Sequence, residues 1–273
     1  MTLKIGGQQN PLLQTLKKSN QALNDSIERL STGKAINKAA DDSAGLIVSD
    51  ILASQARGLG QSIRNANDAM AITQVADGAL SGGAEIVGRI RTLALQAAQD
   101  GQSADSRRAI QTEINSSLQA LDNIAQTTSF NGQKLLDGSF TGKSFQIGGE
   151  SGETVNISIS GAGSQQLGDL AGINVQSQEG AEQAIAAADQ ALALIDGNRA
   201  NLGSISNQLS STVNNLSTTQ VNVQSAQSSI ADVDFAEEAM ILANMKILNK
   251  AQVFAAVQTG KMNEKNMISL LQG

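Results

Sequence analysis

The chemistry open to this chain rests on oxygen. It carries 25 carboxylates and many Ser and Thr hydroxyls across 273 residues, and it has no histidine and no cysteine. Without those two residue types there is no Ser-His or Cys-His nucleophile pair. The nitrogen and sulfur ligands that hold zinc and most transition metals are missing as well, and no disulfide or redox-active thiol can form within the chain. A carboxylate-only hydrolase or an oxygen-ligand metal site is the chemistry left, and no spaced cluster of carboxylates argues for either. The missing His and Cys therefore make an enzyme reading disfavoured, and no cofactor or metal is expected. A net charge of −6 disfavours nucleic acid, because phosphate contacts want a basic face.

The elements that would position any site are helical. Apolar residues make up 40% of the chain but aromatics only 2%, with no Trp and no Tyr. The apolar surface must come from Ala, Leu, Ile and Val, which suit close helix–helix packing. Pro11 is the only proline, so nothing beyond it breaks a helix the way proline does. No stretch approaches the roughly 20 apolar residues of a membrane span, so no membrane insertion is expected. The first residues, Met1 to Gly7, lack the apolar core of a cleaved signal peptide.

Residues 12–32 show a coiled-coil pattern. Leu13, Leu16, Asn20, Leu23, Ile27 and Leu30 alternate in steps of three and four, with Asn20 as a polar break, and Gly33 stands as the C-cap. A long helix is expected from Leu46 to Gln99. Its stripe runs Leu59, Ile63, Ala66, Met70, Thr73, then continues in a shifted register from Val75 to Ala97, with Gly82-Gly83 as a bend and Gly101 as the break. A third helix covers about Ser106 to Thr128. Residues 130–175 are rich in glycine, and two alternating segments, 144–147 and 154–159, read as a hairpin turning at Gly148 to Gly152.

A fourth helix, Glu179 to Ile230, keeps the three-four alternation through polar seam positions Arg199, Ser206, Gln220 and Gln227. These are either exposed turns or devices that fix register. A last helix begins near Ile230 with Val233, Ala236, Met240, Ala243, Ile247, Ala251, Phe254 and Val257 on one face. It is expected to be interrupted near Gly260, with a final apolar patch that includes Leu270 and Leu271. The fold class is mainly α: a long coiled-coil-like helical bundle formed by both chain ends, with a small β-hairpin region in the middle. Periodicity alone leaves open whether the terminal seams form the core of a monomeric bundle or pack between copies. Burial between copies would stabilise them at about 25 cal/mol per Å².

Specific strings then carry a resemblance. Ile27 to Gly33, Ile36-Asn37 and Ala40-Asp41-Asp42-Ser43-Ala44-Gly45 form one set. Ser62 to Asp68, Asp77-Gly78-Ala79-Leu80, Arg89 to Ala97 and Thr128 to Leu136 follow in order. Leu202-Gly203-Ser204, Asn214-Asn215-Leu216, Ser228 to Ala236 and Ser269-Leu270-Leu271 complete it. Together they resemble the bacterial flagellin family, in its short form without large variable outer domains. The chain departs from the common pattern in opening with Gly6-Gly7-Gln8-Gln9-Asn10-Pro11 and in carrying no proline near its end.

The resemblance implies an inner coiled-coil domain from residues 1–43 plus 231–273. It implies an outer helical rod from 44–230 that includes the hairpin region 130–175. The implied role is that of a subunit polymerising into the flagellar filament, the propeller of swimming motility. Export would follow the flagellar type III route to the extracellular flagellum. Implied partners are other flagellin subunits, an export chaperone, hook-associated junction proteins and the filament cap. The residues expected to form the assembly seams are Leu13, Leu16, Leu23, Ile27, Leu30, Val233, Met240, Ile247, Phe254, Val257, Leu270 and Leu271. Arg89, Leu93 and Glu113 resemble an epitope that innate immune receptors read in some flagellins, although a solvated charged face or filament-contact salt bridges is the favoured reading of the two charges.

Overall fold

The computed structural model describes residues 11–271, including side chains except at 11–13, 169, 260 and 262–271. Five long helices are present: α1 Pro11–Thr32, α2 Ser43–Ala97, α3 Ala104–Thr127, α4 Gln178–Ala231 and α5 Phe235–Leu271. Between α3 and α4 lie β1 Ser129–Phe130, β2 Gln133–Lys134, β3 Lys143–Gln146 and β4 Thr154–Ile157, paired antiparallel as β1–β2 and β3–β4. The chain forms two compact units, Met1–Ser54 with Asn222–Gly273, and Gln55–Val221. The division falls inside α2 and inside α4.

The core of the second unit is built on one seam of α2. From Leu59 the buried seam positions are Ser62, Ala66, Ala69, Thr73, Ala76, Leu80, Gly83, Val87, Ile90, Ala94 and Ala97, with Ile72 buried beside them. The steps of three and four never change phase. The expected register shift after Thr73 is thus absent. The expected stripes took in Ile63, Met70, Val75, Ile86 and Leu93, which flank the seam, whereas the seam itself also uses Ser62 and Gly83. The helix also runs unbroken through Gly82-Gly83. At Gly83 an added Cβ would stand in ordinary contact, 3.4 Å from Leu121 Cδ1 on α3.

On α4 the inward positions include Ala181, Ala184, Ala188, Ala191, Ile195, Leu202, Ile205 and Leu209. Small side chains in its first half allow near approach. Two of the polar positions on α4 cross to α2. Arg199 Nε pairs with Asp77 Oδ1 at 2.9 Å, and Gln220 Nε2 donates to the Ala56 carbonyl at 3.2 Å. Arg199 and Gln220 thus make contacts across to α2 and are not simply exposed turns. A further pair, Arg91 Nε to Asp189 Oδ1 at 2.5 Å, joins the same two helices. The facing carboxylates push both arginines further into the charged range.

α2 ends at Ala97, before Gly101, and Arg107 of α3 reaches back to cap it, with Nε donating to the Ala97 carbonyl at 2.9 Å. Asn131 and Gly132 both have positive φ, 49° and 78°, which is the type I′ turn that closes a two-residue hairpin. This β1–β2 hairpin adds to the expected one. It delivers Leu135, Leu136 and Phe140 into the core. In β4, Val155 and Ile157 are buried while Thr154 and Asn156 are exposed, as the alternation requires.

Candidate functional site

The strings near the two ends of the chain meet in the first unit. Gly33, with φ 72°, terminates α1 and returns its N–H to the Arg29 carbonyl at 2.9 Å. The following residues then pair with the α4–α5 connection. Val233 N–H donates to the Gly33 carbonyl at 3.0 Å, Ala35 N–H donates to the Ala231 carbonyl at 2.7 Å, and Lys34 opposes Asp232 as an antiparallel bridge. The last helix therefore does not begin near Ile230: Asp232 to Asp234 are non-helical. Asp234 caps α5, its Oδ1 accepting from the Ala236 and Glu237 N–H groups. The expected interruption near Gly260 is also absent, and α5 continues to Leu271.

The Ala40 to Gly45 string has a local reason of the same kind. Asp41 Oδ2 accepts from the Asn37 and Lys38 N–H groups at 3.0 and 2.9 Å, closing the loop after α1. Asp42 Oδ1 accepts from the Ala44 and Gly45 N–H groups, both at 3.0 Å, and caps α2. A Cβ at Gly45 would collide with the Asp42 carboxylate and lie 2.7 Å from Ile36 Cδ1. Lys38 Nζ pairs with Glu28 Oε2 at 2.5 Å.

These two backbone donors hold the Asp41 carboxyl below the usual aspartate range. A depressed carboxylate stabilises the fold above its unfolded pKa and loses that contribution as pH falls through its lower folded value. The amide NMR shifts of Asn37 and Lys38 should accordingly stay constant through the ordinary aspartate range and move only at more acidic pH. In Asp41→Asn that transition should vanish. Its persistence would assign the titration to another group.

With this junction at one end, α1 and α5 pack antiparallel. The covered face of α1 holds Leu16, Ser19, Leu23, Ser26 and Leu30, and that of α5 holds Glu238, Leu242, Met245, Asn249, Gln252 and Ala256. Both alternate in threes and fours. Small residues recur at seventh positions, Ser19 and Ser26 on α1 and Gly33 just past its end.

Of the expected assembly residues, Leu16, Leu23, Leu30 and Val233 are half-buried in this unit. Ile27 stays 44% exposed. Met240, Ile247, Phe254 and Val257 point away from α1, at 64%, 65%, 74% and 53% exposure, and Ala236, Ala243 and Ala251 between them are exposed too. The whole expected stripe of α5 is open, while a more polar face of the same helix meets α1. Leu13, Leu270 and Leu271 lie outside the residues whose side chains are described. On the other unit, Arg89 and Glu113 are exposed and Leu93 is half-buried against the core.

Leu16, Leu23 and Leu30 were legible, but the polar and small members of the α1–α5 seam were hidden in the sequence. Ser19, Ser26, Glu238, Asn249 and Gln252 are polar, so a search for large apolar residues passes them by. Counting heptads outward from Gly33 would have found Ser26 and Ser19. Among the described residues no group of three or more carboxylates is placed to hold a metal, and no helix is long and apolar enough to cross a membrane.

The profile described as the bacterial flagellin N-terminal helical region matches residues 7–141, and that of the bacterial flagellin C-terminal helical region matches residues 185–271. The chain belongs to the bacterial flagellin family. Flagellin B of Helicobacter pylori strain 26695 is 53% identical over 152 residues, covering 56% of this chain and 30% of that protein. Flagellin B of Vibrio cholerae is 48% identical over 155 residues, 57% of this chain and 41% of that one. The chain thus spans well under half the length of the curated flagellins it matches.

Among solved structures, Bacillus cereus flagellin superposes with a TM-score of 0.50 at 28% identity, over 56% of this chain and 88% of that one. A putative flagellar hook-associated protein from Vibrio parahaemolyticus gives a TM-score of 0.60 at 17% identity, over 70% of this chain and all of that one, a likeness of fold. In this flagellin chain the two profiles supply the two sides of the junction, Gly33 to Ala35 from one and Ala231 to Val233 from the other.

Proposed function

We propose that the chain is the structural subunit of the flagellar filament, polymerising with copies of itself, and that the open stripe of α5 is a principal assembly surface. The observation that carries this reading is the division of labour on α5. Its apolar stripe, Met240, Ile247, Phe254 and Val257, is exposed, whereas its covered face is partly polar. Within the α1–α5 seam Ser26 Oγ, Arg29 Nε and Gln252 Oε1 are buried without hydrogen-bond partners. Each such atom costs about 1–3 kcal/mol, so the pair is weak alone and gains stability when the apolar stripe is covered.

The same reading gives the chain its route and partners. It passes through the flagellar type III apparatus to the cell exterior, held beforehand by an export chaperone on the α5 stripe. In the filament it meets hook-associated junction proteins at one end and the cap at the other. Arg89, Leu93 and Glu113 form the surface offered to innate immune receptors, if any part of the second unit is so read.

Hydrogen exchange on dilute and on assembled protein tests the central claim. The amides of α1 and α5 should exchange fast in a monomer verified by sizing and become strongly protected in fibres seen by electron microscopy. The core amides of α2 and α4 should be protected in both. Equal strong protection of α5 in a verified monomer, or no fibres at any concentration after seeding, would sink it. A chain truncated after Ala231 should fail to bind the chaperone in a pull-down, and retained binding would place that site elsewhere.

A further inference from the structure

α4 holds the longest stretch of the chain without a charged side chain. From Ala200 to Ala231 there is no Asp, Glu, Lys or Arg, and the next longest such run, Thr154 to Gly168, is far shorter and not helical. The helix beside it keeps its charges. Gln220 with Ala56 and Arg199 with Asp77 mark the stretch of α2 that runs along this part of α4, and there Arg57, Arg64 and Asp68 are exposed.

Within the second unit the two faces of this stretch differ. Inward, Leu202, Ile205 and Leu209 are buried, and Val213 and Leu216 are half-buried. Outward, Asn207, Ser211, Asn214, Thr218 and Val221 follow one another in steps of four and three, and all are exposed. Val221 is the most open apolar residue of this unit, at 61%. The Thr218 hydroxyl donates to the Asn214 carbonyl at 2.9 Å, and the side-chain amides of Asn207 and Asn214 have no hydrogen-bond partner among the described residues.

A helix face that meets only water gains solubility from charges and has no cost to avoid there. A face that becomes covered is different. An ionised group that leaves water unpaired costs far more than an amide or a hydroxyl, which keep donor and acceptor capacity for whatever polar group arrives. Depletion of charge is accordingly a mark of interface centres. Charge also points to the occupant. Each copy of the chain carries a net −6, so copies meet with least repulsion where the surface carries no charge. A strongly basic or acidic partner of another kind would find no opposite charge on this stripe to select it.

We infer that the outer stripe of α4, Asn207, Ser211, Asn214, Thr218 and Val221, is a second assembly surface, covered in the filament by a neighbouring copy of this chain. The inference rests on the filament reading above and adds a contact on the second unit to the α5 stripe on the first. Val221 is its apolar anchor, and the amides and hydroxyls make its polar contacts without stranding a charge.

The absence of cysteine makes a labelling test clean. Asn214→Cys is mixed as a minor fraction into unmutated chain and grown on seeds. A maleimide should label this site in the soluble protein several-fold faster than in the fibre. Equal rates in the two states would overturn the inference.

A second arm reads the charge argument. Asn207→Asp with Asn214→Asp raises the net negative charge, and Asn207→Lys with Asn214→Lys lowers it. Both pairs should keep the helix content of the soluble chain, and both should slow seeded elongation several-fold, because either sign is stranded beneath the neighbour. Slower growth with Asp but faster growth with Lys would reduce the effect to long-range repulsion and overturn the contact, as would unchanged growth with either pair. Failure of the unmutated chain to form fibres would sink the filament reading itself, whereas fibres in which the stripe stays fully reactive would sink only this surface.

Discussion

Replacing Ile247 and Phe254 together by aspartate is expected to stop seeded filament growth while the soluble chain stays folded. Both side chains are exposed in the single chain, Phe254 at 74%. A carboxylate there meets water, and surface changes of this sort usually alter stability by no more than about 0.5 kcal/mol. Once a neighbouring copy covers the stripe, the same carboxylate is buried without a partner. The penalty for an unpaired buried charge is several kcal/mol per site, and it recurs with every subunit added.

The measurement is paired: circular dichroism and melting of the soluble double variant, then elongation yield on preformed seeds. Retained helicity with lost elongation is the expected outcome. Normal elongation would show the stripe to be a solvent-facing surface in the assembly. Loss of helicity in the soluble chain would mean that the stripe is already covered in the monomer, contrary to its exposure here.

Phe140→Ala is expected to give the largest loss of monomer stability of any single substitution discussed here. Phe140 is 1% exposed and lies between the two small hairpins. The Ile159 N–H donates to its carbonyl at 2.8 Å. Truncating a buried phenylalanine typically costs 3–5 kcal/mol, from lost transfer energy and the cavity left behind. Urea unfolding followed by circular dichroism suits the chain, which has no Trp or Tyr for fluorescence.

Phe254→Ala is the matched control. It removes the same side chain from an exposed position and should leave the unfolding free energy within about 0.5 kcal/mol of the parent. Similar losses from both would mean that α5 is packed in the soluble state. Little loss from Phe140→Ala would mean that the β region is not coupled to the helical core.

The sequence by itself determined most of the helical layout. Alternating threes and fours, a single early proline and Gly33 bounded α1 within a residue, and α3 and α4 within two. The alternation at 154–157 marked β4. These signals are local: a helix or strand face repeats within a few residues, and a positive-φ glycine ends it where it stands. The family's strings were legible as strings for the same reason. One local signal was there and passed over, since Asn131-Gly132 between short polar segments is a strong hairpin mark. Phe140, set among Gly138, Ser139, Thr141 and Gly142, carried no periodicity to find.

Only the tertiary structure decided which faces are taken. On α2 the seam proved continuous because Ser62, Thr73, Ala76 and Gly83, small or polar residues, are among its buried positions. On α5 the conspicuous apolar stripe stayed open, and α1 took the face with Glu238, Asn249 and Gln252. Hydrophobicity read along one segment measures how much a face gains from leaving water. It does not say which partner supplies the cover, nor how near that partner can approach. Those depend on the shape and polarity of residues more than 200 positions away, as Asn20 and Asn249 are, and the fold alone brings them together.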